Sequence, residues 1–372
     1  MANSRTQAVH SPSAGSKLAV EDEAIPVNLP PGLPEIVLDI QAENPFQSYA
    51  RFRLFGRTLE EVMGDEAAMI GNLILQGEEQ EVEQALALIK TKPILLHCKT
   101  EATDPLGRGV KEKTLLQIAA MAGDVDLKPG IGEEKDRGLV ERLIAVGKLS
   151  KEEIAEQLEV ITGVAAQKEN KARNERYLTA IKKFGIGICK VKADDKDEFE
   201  RNCIDHIKQL EQDLQAESEK EITSGYIFDP SILEEAVKWF EDNIESFGGW
   251  SSTKSDIFWV KGFGKLQRLL SSRDAQVVLT GLGRLVNSGA LPPRLLNDPE
   301  QLSYFYNSSS RLGVDFYLGC YSHHAACHAW GAGDEIWPSW MLGKLMSRKK
   351  TSIAKLMPCP DNRSRCKRCL VM

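Results

Sequence analysis

No stretch of this chain approaches the roughly eighteen consecutive apolar residues of a bilayer-spanning helix, so no segment is expected to cross a membrane as a helix. The opening residues also lack the basic-then-apolar pattern of a secretory signal, and Met1-Ala2-Asn3 lacks the glycine that myristoylation requires. The eight cysteines are scattered through 372 residues without the close spacing of a small disulfide scaffold, which fits reduced thiols in a cytosol. Aromatic residues are scarce in the first half: all six tryptophans lie between Trp239 and Trp340. Acid is scarce at the other end. From Met341 to Met372 nine Lys or Arg residues stand against one acid, Asp361, a charge of +8 that leaves −15 on the rest of a chain of net charge −7. Such an acidic body repels nucleic acid phosphate, so no nucleic-acid partner is expected. The short basic arm is drawn toward the anionic cytoplasmic leaflet by about 1 kcal/mol per charge close to the surface.

What this basic end does contain is Cys369-Leu370-Val371-Met372, a cysteine, two aliphatic residues and a last residue of the farnesyl-directing type. This CaaX pattern predicts prenylation of Cys369 by a prenyltransferase of a eukaryotic cytosol. One lipid chain holds a protein on a bilayer only marginally, so a second signal is expected. Two stand close by. Cys366 is a candidate for reversible palmitoylation, and Arg363, Arg365, Lys367 and Arg368 form a candidate electrostatic contact with anionic lipid. A zinc site from Cys359, Cys366 and Cys369 is the competing use of these thiols, but three ligands in a terminal segment lack an obvious fourth.

Composition and periodicity predict a mainly α protein. Residues 1–34, rich in Ser, Ala and Pro, read as a disordered leader, 35–224 as a helical domain, 225–346 as a helical, Trp-containing domain and 347–372 as a flexible basic tail. The boundary between the two domains is expected near Ser224-Gly225. Between Ala67 and Lys90 two helical runs meet at Gly77, with Met69, Ile70, Leu73 and Ile74 before it and Val82, Leu86 and Ile89 after it. Asp104-Pro105-Leu106-Gly107 supplies a turn, and the run from Thr114 to Asp124 opens the next helix. That run resembles the ankyrin repeat, in which a Thr-Pro-Leu-His turn leads into a helix with small residues, a glycine at its end and a second helix of Val and Leu pairs. Thr114, Leu116, Ala119, Ala120 and Gly123 match the pattern, and Leu139 to Ile144 fits the second helix. Leu115 replaces the proline, Gln117 replaces the histidine, and an insertion with Pro129, Gly130 and Gly132 separates the helices. The resemblance implies one recognisable and one degenerate repeat over about residues 65–150, as helical hairpins.

Lys151–Ile161 and Asp195–Ser218 read as longer charged helices, and in the second Phe199, Cys203, Ile207, Leu210 and Leu214 make one buried stripe. His206 then lies at the stripe's boundary, and the acids from Asp194 to Glu198 favour a helix N-terminus rather than a metal site. Nucleotide signals fail. Gly107 to Thr114 has the length and Lys-Thr ending of a P-loop, but Glu112 occupies the second required glycine and would repel phosphate. Gly262-Phe263-Gly264 and Gly281-Leu282-Gly283 lack the third glycine and the preceding strand of a dinucleotide fingerprint. His97-Cys98 points its two side chains in different directions, and Leu95, Leu96 and Cys98 read as buried.

The most concentrated side-chain chemistry is Cys320-Tyr321-Ser322-His323-His324-Ala325-Ala326-Cys327-His328. On a helix Cys320, His323, His324 and Cys327 share one face, a candidate zinc site that would need a remote ligand to complete a tetrahedron. A thiol nucleophile at Cys320 or Cys327 would need a distant histidine. A close-packed helix between Phe316, Tyr317 and Trp330 is the structural alternative. No cofactor is expected, zinc being the one possibility with candidate ligands.

The segments from Phe258 to Leu270 and from Ser308 to Phe316, with the Pro-Leu-Gly-Arg turn at 105–108, resemble segments that recur in ankyrin-like proteins injected into host cells by Legionella and its relatives. The resemblance implies a secreted effector that enters a eukaryotic cytosol and borrows the host prenyltransferase. Its expected location is the cytoplasmic face of host membranes, and its expected role is an adaptor that recruits a host protein. The rival expectation is a membrane-delivered enzyme with its site at residues 320–328.

Overall fold

A computed structural model describes residues 59–125, 137–193, 195–250, 252–278, 294 and 338–357. These residues are mostly helical, as the periodicity predicts. Helices α1 (Leu59–Gln76) and α2 (Glu79–Thr91) meet at Gly77, whose φ of +72° is a conformation that side-chain-bearing residues rarely adopt. A 3-10 turn, Pro93–His97, buries Leu95, Leu96 and the following Cys98. An element that the periodicity does not mark comes next: an antiparallel hairpin of β1 (Thr100–Thr103) and β2 (Gly109–Lys113). Its turn is built by Asp104, whose carboxylate accepts the N–H groups of Leu106 at 2.9 Å and Arg108 at 2.8 Å.

Thr114 then starts α3 (Leu115–Met121) with a capping box: its hydroxyl accepts the Gln117 N–H while the Gln117 side chain accepts the Thr114 N–H. Leu116 and Ala119 are fully buried, Glu112 is exposed and Lys113 is half-buried. Helix α4 (Leu139–Gly147) packs on α2 and α3. A second capping box, Ser150 with Glu153, starts α5 (Lys151–Thr162). The long α6 (Val164–Lys190) follows without a marked sequence signal, and after α7 (Lys196–Asn202) helix α8 (Ile204–Ser218) packs along it. Asp195 caps α7 by accepting the Glu198 N–H at 2.7 Å. The single helix expected over Asp195–Ser218 is therefore two. They break at Cys203, which is buried with Phe199, Leu210 and Leu214, while Ile207 is half-buried against the same cluster and His206 is exposed.

Helix α9 (Ser231–Asp242), the short α10 (Ile244–Phe247) and α11 (Thr253–Ile257) lead into a π-helical turn, Phe258–Phe263. Helices α12 (Gly264–Gln267) and α13 (Ser272–Gln276) continue it, and α14 (Pro338–Leu356) is the last described element. One apolar cluster joins them. Tyr177, Ile181, Phe184 and Ile188 of α6 pack with Phe228, Phe240, Phe247, Phe258, Trp259 and Phe263, and with Met341, Leu342 and Leu345 of α14. Residues on both sides of Ser224-Gly225 thus share this core, and the boundary itself is tied down by the Gly225 N–H on the Val160 carbonyl at 2.8 Å. Ring pairs such as Phe240 with Phe258 at 5.0 Å and Trp259 with Phe263 at 4.8 Å lie within the favourable aromatic range.

The segment expected to be a flexible tail from 347 onward begins as helix: α14 runs to Leu356, with Lys349 and Ser352 buried. The prolines that oppose a helix, Pro358 and Pro360, come only after it ends.

Candidate functional site

The residues that carry the sequence-based expectations lie outside the described residues. This holds for Cys359, Cys366, Cys369, Arg363, Arg365, Lys367 and Arg368 of the tail, and for Cys320, His323, His324 and Cys327. The leader at 1–34 and the segment at 308–316 lie outside them as well. Among the described residues no group of three or more His, Cys, Asp or Glu is placed to hold a metal ion, and no helix is long and apolar enough to cross a membrane.

The structure does describe the helix that leads to the tail. Along α14, Met341, Leu342, Leu345, Met346, Lys349 and Ser352 form the buried face, at spacings of one, three and four that place them on one side of a helix. The opposite face exposes Trp340, Lys344, Lys350 and Lys355, and the helix contains no acid. The Lys344 ammonium lies 5.1 Å from the centroid of the Trp340 ring, within cation–π range. From Met357 the fifteen remaining residues can reach at most about 50 Å when fully extended.

Lys349 is held by a buried ion network. Its ammonium lies 2.6 Å from Asp274 of α13 and also donates to the carbonyl of Gly123. Next to Gly123, Asp124 receives both guanidinium arms of Arg294, at 2.5 and 2.8 Å, and the Leu139 N–H at 2.9 Å. Burial alone would raise the Asp124 carboxyl, but the charge and hydrogen bonds of Arg294, the nearby Arg273 and the Leu139 amide hold it at about 2. Arg142 extends the network to Glu79 at 3.2 Å and to Glu83. Ser272 and Gln276 of α13 donate to the carbonyls of Leu75 and Gly77 at 2.9 and 3.2 Å. Acids and bases alternate throughout, so the network holds elements together without surplus charge for a ligand. It ties the α1–α2 turn, the end of α3, α13 and α14 into one unit.

The P-loop-like run is committed elsewhere. The Gly107 N–H donates to the Asp104 carbonyl at 2.8 Å, Gly109–Lys113 is a strand, and the Thr114 hydroxyl donates to Gln157 at 2.6 Å. Arg108 bonds Asp104 at 2.6 Å and reaches the Leu269 carbonyl at 2.6 Å, joining the Pro-Leu-Gly-Arg turn to the end of the 258–270 segment. Gly262 serves packing: a Cβ there would stand 2.6 Å from the Phe184 ring. Burial lowers the pKa of His97, and the Glu153 carboxylate at 4.0 Å offsets part of that effect.

One surface feature was not singled out by the sequence. Thr179, Lys182, Lys183, Ile186, Gly187 and Lys190 share a face of α6 and, with Val191 and His206, line an open groove of about 610 Å³. The signal was present as lysines at helical spacing from Leu178 to Ala193 with no acid among them.

Comparison with protein families, with curated proteins and with solved structures finds no match for this chain.

Proposed function

We propose that this chain is a prenylated adaptor, a secreted effector that sits on the cytoplasmic face of a host membrane and presents its helical, ankyrin-like surface to a host protein. The observation that carries the reading is the run of chain from α14 into Cys369-Leu370-Val371-Met372. An acid-free helix with Trp340, Lys344, Lys350 and Lys355 exposed leads into a basic segment and a prenyl-acceptor pattern. A lipid chain plus a basic patch supplies the two signals that stable attachment needs. The buried face of α14 transmits that attachment to the body, because the helix is locked by Lys349 rather than hanging free.

Expression in a eukaryotic cytosol followed by fractionation tests the proposal. The chain should appear in the membrane fraction with a farnesyl mass on Cys369, and Cys369→Ser should move it to the supernatant. An unmodified tail, or a Cys369→Ser protein that stays on membranes, overturns it. The reading requires Met372 to be the last residue of the translated chain, which the same mass spectrum reports.

The second reading, an enzyme with a Cys/His centre, rests on the spacing of Cys320, His323, His324 and Cys327. Stoichiometric zinc in purified protein, lost in Cys320→Ser and His324→Ala, would favour it over the adaptor.

A further inference from the structure

The groove on α6 collects positive charge on an otherwise acidic body. Lys182, Lys183 and Lys190 project from one side of the helix, and His206 of α8 forms the facing wall. The imidazole is seated close: a Cβ at Gly187 would stand 2.7 Å from its Nδ1, so glycine there lets the wall approach. Asp213 lies 3.5 Å from Lys183 and partly neutralises it. Lys182, although half-buried, and Lys190 make no ion pair among the described residues. The Thr179 hydroxyl is engaged by the Glu175 carbonyl at 2.6 Å, which leaves the lysines and His206 as the groove's polar recognition groups. Lys254 adds a further cation at the end of α6, where it donates to the Cys189 carbonyl at 2.8 Å. The floor and mouth are apolar, with Gly187, Val191 and Ile186, the last 48% exposed.

We propose that this groove binds the phosphorylated headgroup of an anionic membrane lipid, as a contact separate from the C-terminal anchor. Two cations without acid partners among the described residues, one of them half-buried, match a small polyanion, and the volume suits one headgroup rather than a nucleic acid or a helix. The remainder of the chain carries net negative charge, which repels extended polyanions and leaves a local anion as the fitting ligand. Ile186 favours lipid over free phosphate. An exposed aliphatic side chain at the mouth of a cationic groove enters the boundary between headgroups and acyl chains when the groove closes on a headgroup.

The test uses the full-length chain made in bacteria, where Cys369 stays unprenylated, with Arg363, Arg365, Lys367 and Arg368 changed to Glu in every protein compared, so that neither lipidation nor the basic tail contributes to its outcome. Sedimentation is measured with vesicles of phosphatidylcholine alone, of phosphatidylcholine with phosphatidylserine, and of phosphatidylcholine with a phosphoinositide. The protein should bind the phosphoinositide vesicles most tightly, with affinity falling as salt rises. Lys182→Glu with Lys190→Glu should weaken that binding by roughly tenfold or more, given the contribution of each basic residue near an anionic surface. The matched surface pair Lys90→Glu with Lys111→Glu should leave it within about twofold of the parent protein, once long-range screening is allowed for. Ile186→Ala should lower vesicle binding while leaving binding of soluble inositol hexakisphosphate unchanged. Circular dichroism of each variant confirms that the fold is intact.

Equal losses in the groove pair and the surface pair would show only general charge attraction and overturn the proposal. So would vesicle binding that survives in the groove pair. Binding of soluble inositol hexakisphosphate without any binding to vesicles would reassign the groove to a free phosphorylated ligand and overturn the lipid reading.

Discussion

Lys349 and Asp274 lie 2.6 Å apart with their side chains 1% and 0% exposed, so the last described helix is fastened to the body by a desolvated ion pair. Two charges removed from water stabilise a structure only as a pair; losing one leaves the other stranded. Lys349→Met should therefore cost about 3–5 kcal/mol, read as a lower urea midpoint at an unchanged slope. The double variant Lys349→Met with Asp274→Leu should recover a large part of the loss, and failure to recover any of it would show that the pair is not the source.

The same contact separates two truncations. Removing everything after Met357 should leave thermal stability nearly unchanged, because every buried residue of α14 remains. Truncation after Met346 removes Lys349 and Ser352 and strands Asp274, so its melting temperature should fall sharply. Equal melting temperatures for the two shortened chains would contradict the lock.

Asp124 makes the stability of the fold sensitive to acid. Its folded pKa of about 2 lies below the 3.8 of the unfolded reference, so the carboxylate's stabilisation is fully present above about pH 4 and is lost as the pH falls toward 2. The difference corresponds to roughly 2 kcal/mol. Asp124→Asn should be less stable at neutral pH and show a shallower decline between pH 4 and 2 in denaturant titrations.

Gly262→Ala tests the packing reading of that glycine. The added methyl would meet Phe184 at 2.6 and 2.8 Å, and that ring is buried within the aromatic core. A loss of about 1–3 kcal/mol is expected from overpacking. An unchanged melting temperature would show that α6 and the π-helical turn can separate at little cost.

For the proposed anchor, Cys366→Ser should weaken or redirect membrane attachment in a eukaryotic host cytosol without abolishing it. Charge reversal of Arg363, Arg365, Lys367 and Arg368 should weaken it in a salt-sensitive manner, because screening acts on exposed charges. Fractionation at low and high salt reads both effects, and salt-independent loss would argue against an electrostatic contact.

Local signals in the sequence determined the helical class, the Gly77 break, the start of α3 at Thr114, the cap at Asp195 and the burial of Cys98 and Cys203. Each of these depends on neighbours a few residues apart: a hydroxyl reaching the third amide, an apolar period of three or four, a glycine where φ must be positive. The Cys369-Leu370-Val371-Met372 pattern is equally local, a feature of four adjacent residues outside the described ones. Tertiary structure alone decided that Ser224-Gly225 lies within a shared core, that the β1–β2 hairpin interrupts the helices, and that the basic segment after 347 begins as packed helix. Lys349 reads in sequence as one more tail cation, since nothing near it reveals that a distant acid, Asp274, waits in a dry site. The α6 groove had a local sign in its acid-free lysine stripe. Yet a stripe becomes a groove only when α8 sets His206 opposite it, and that juxtaposition comes from packing between helices rather than from the order of residues along one.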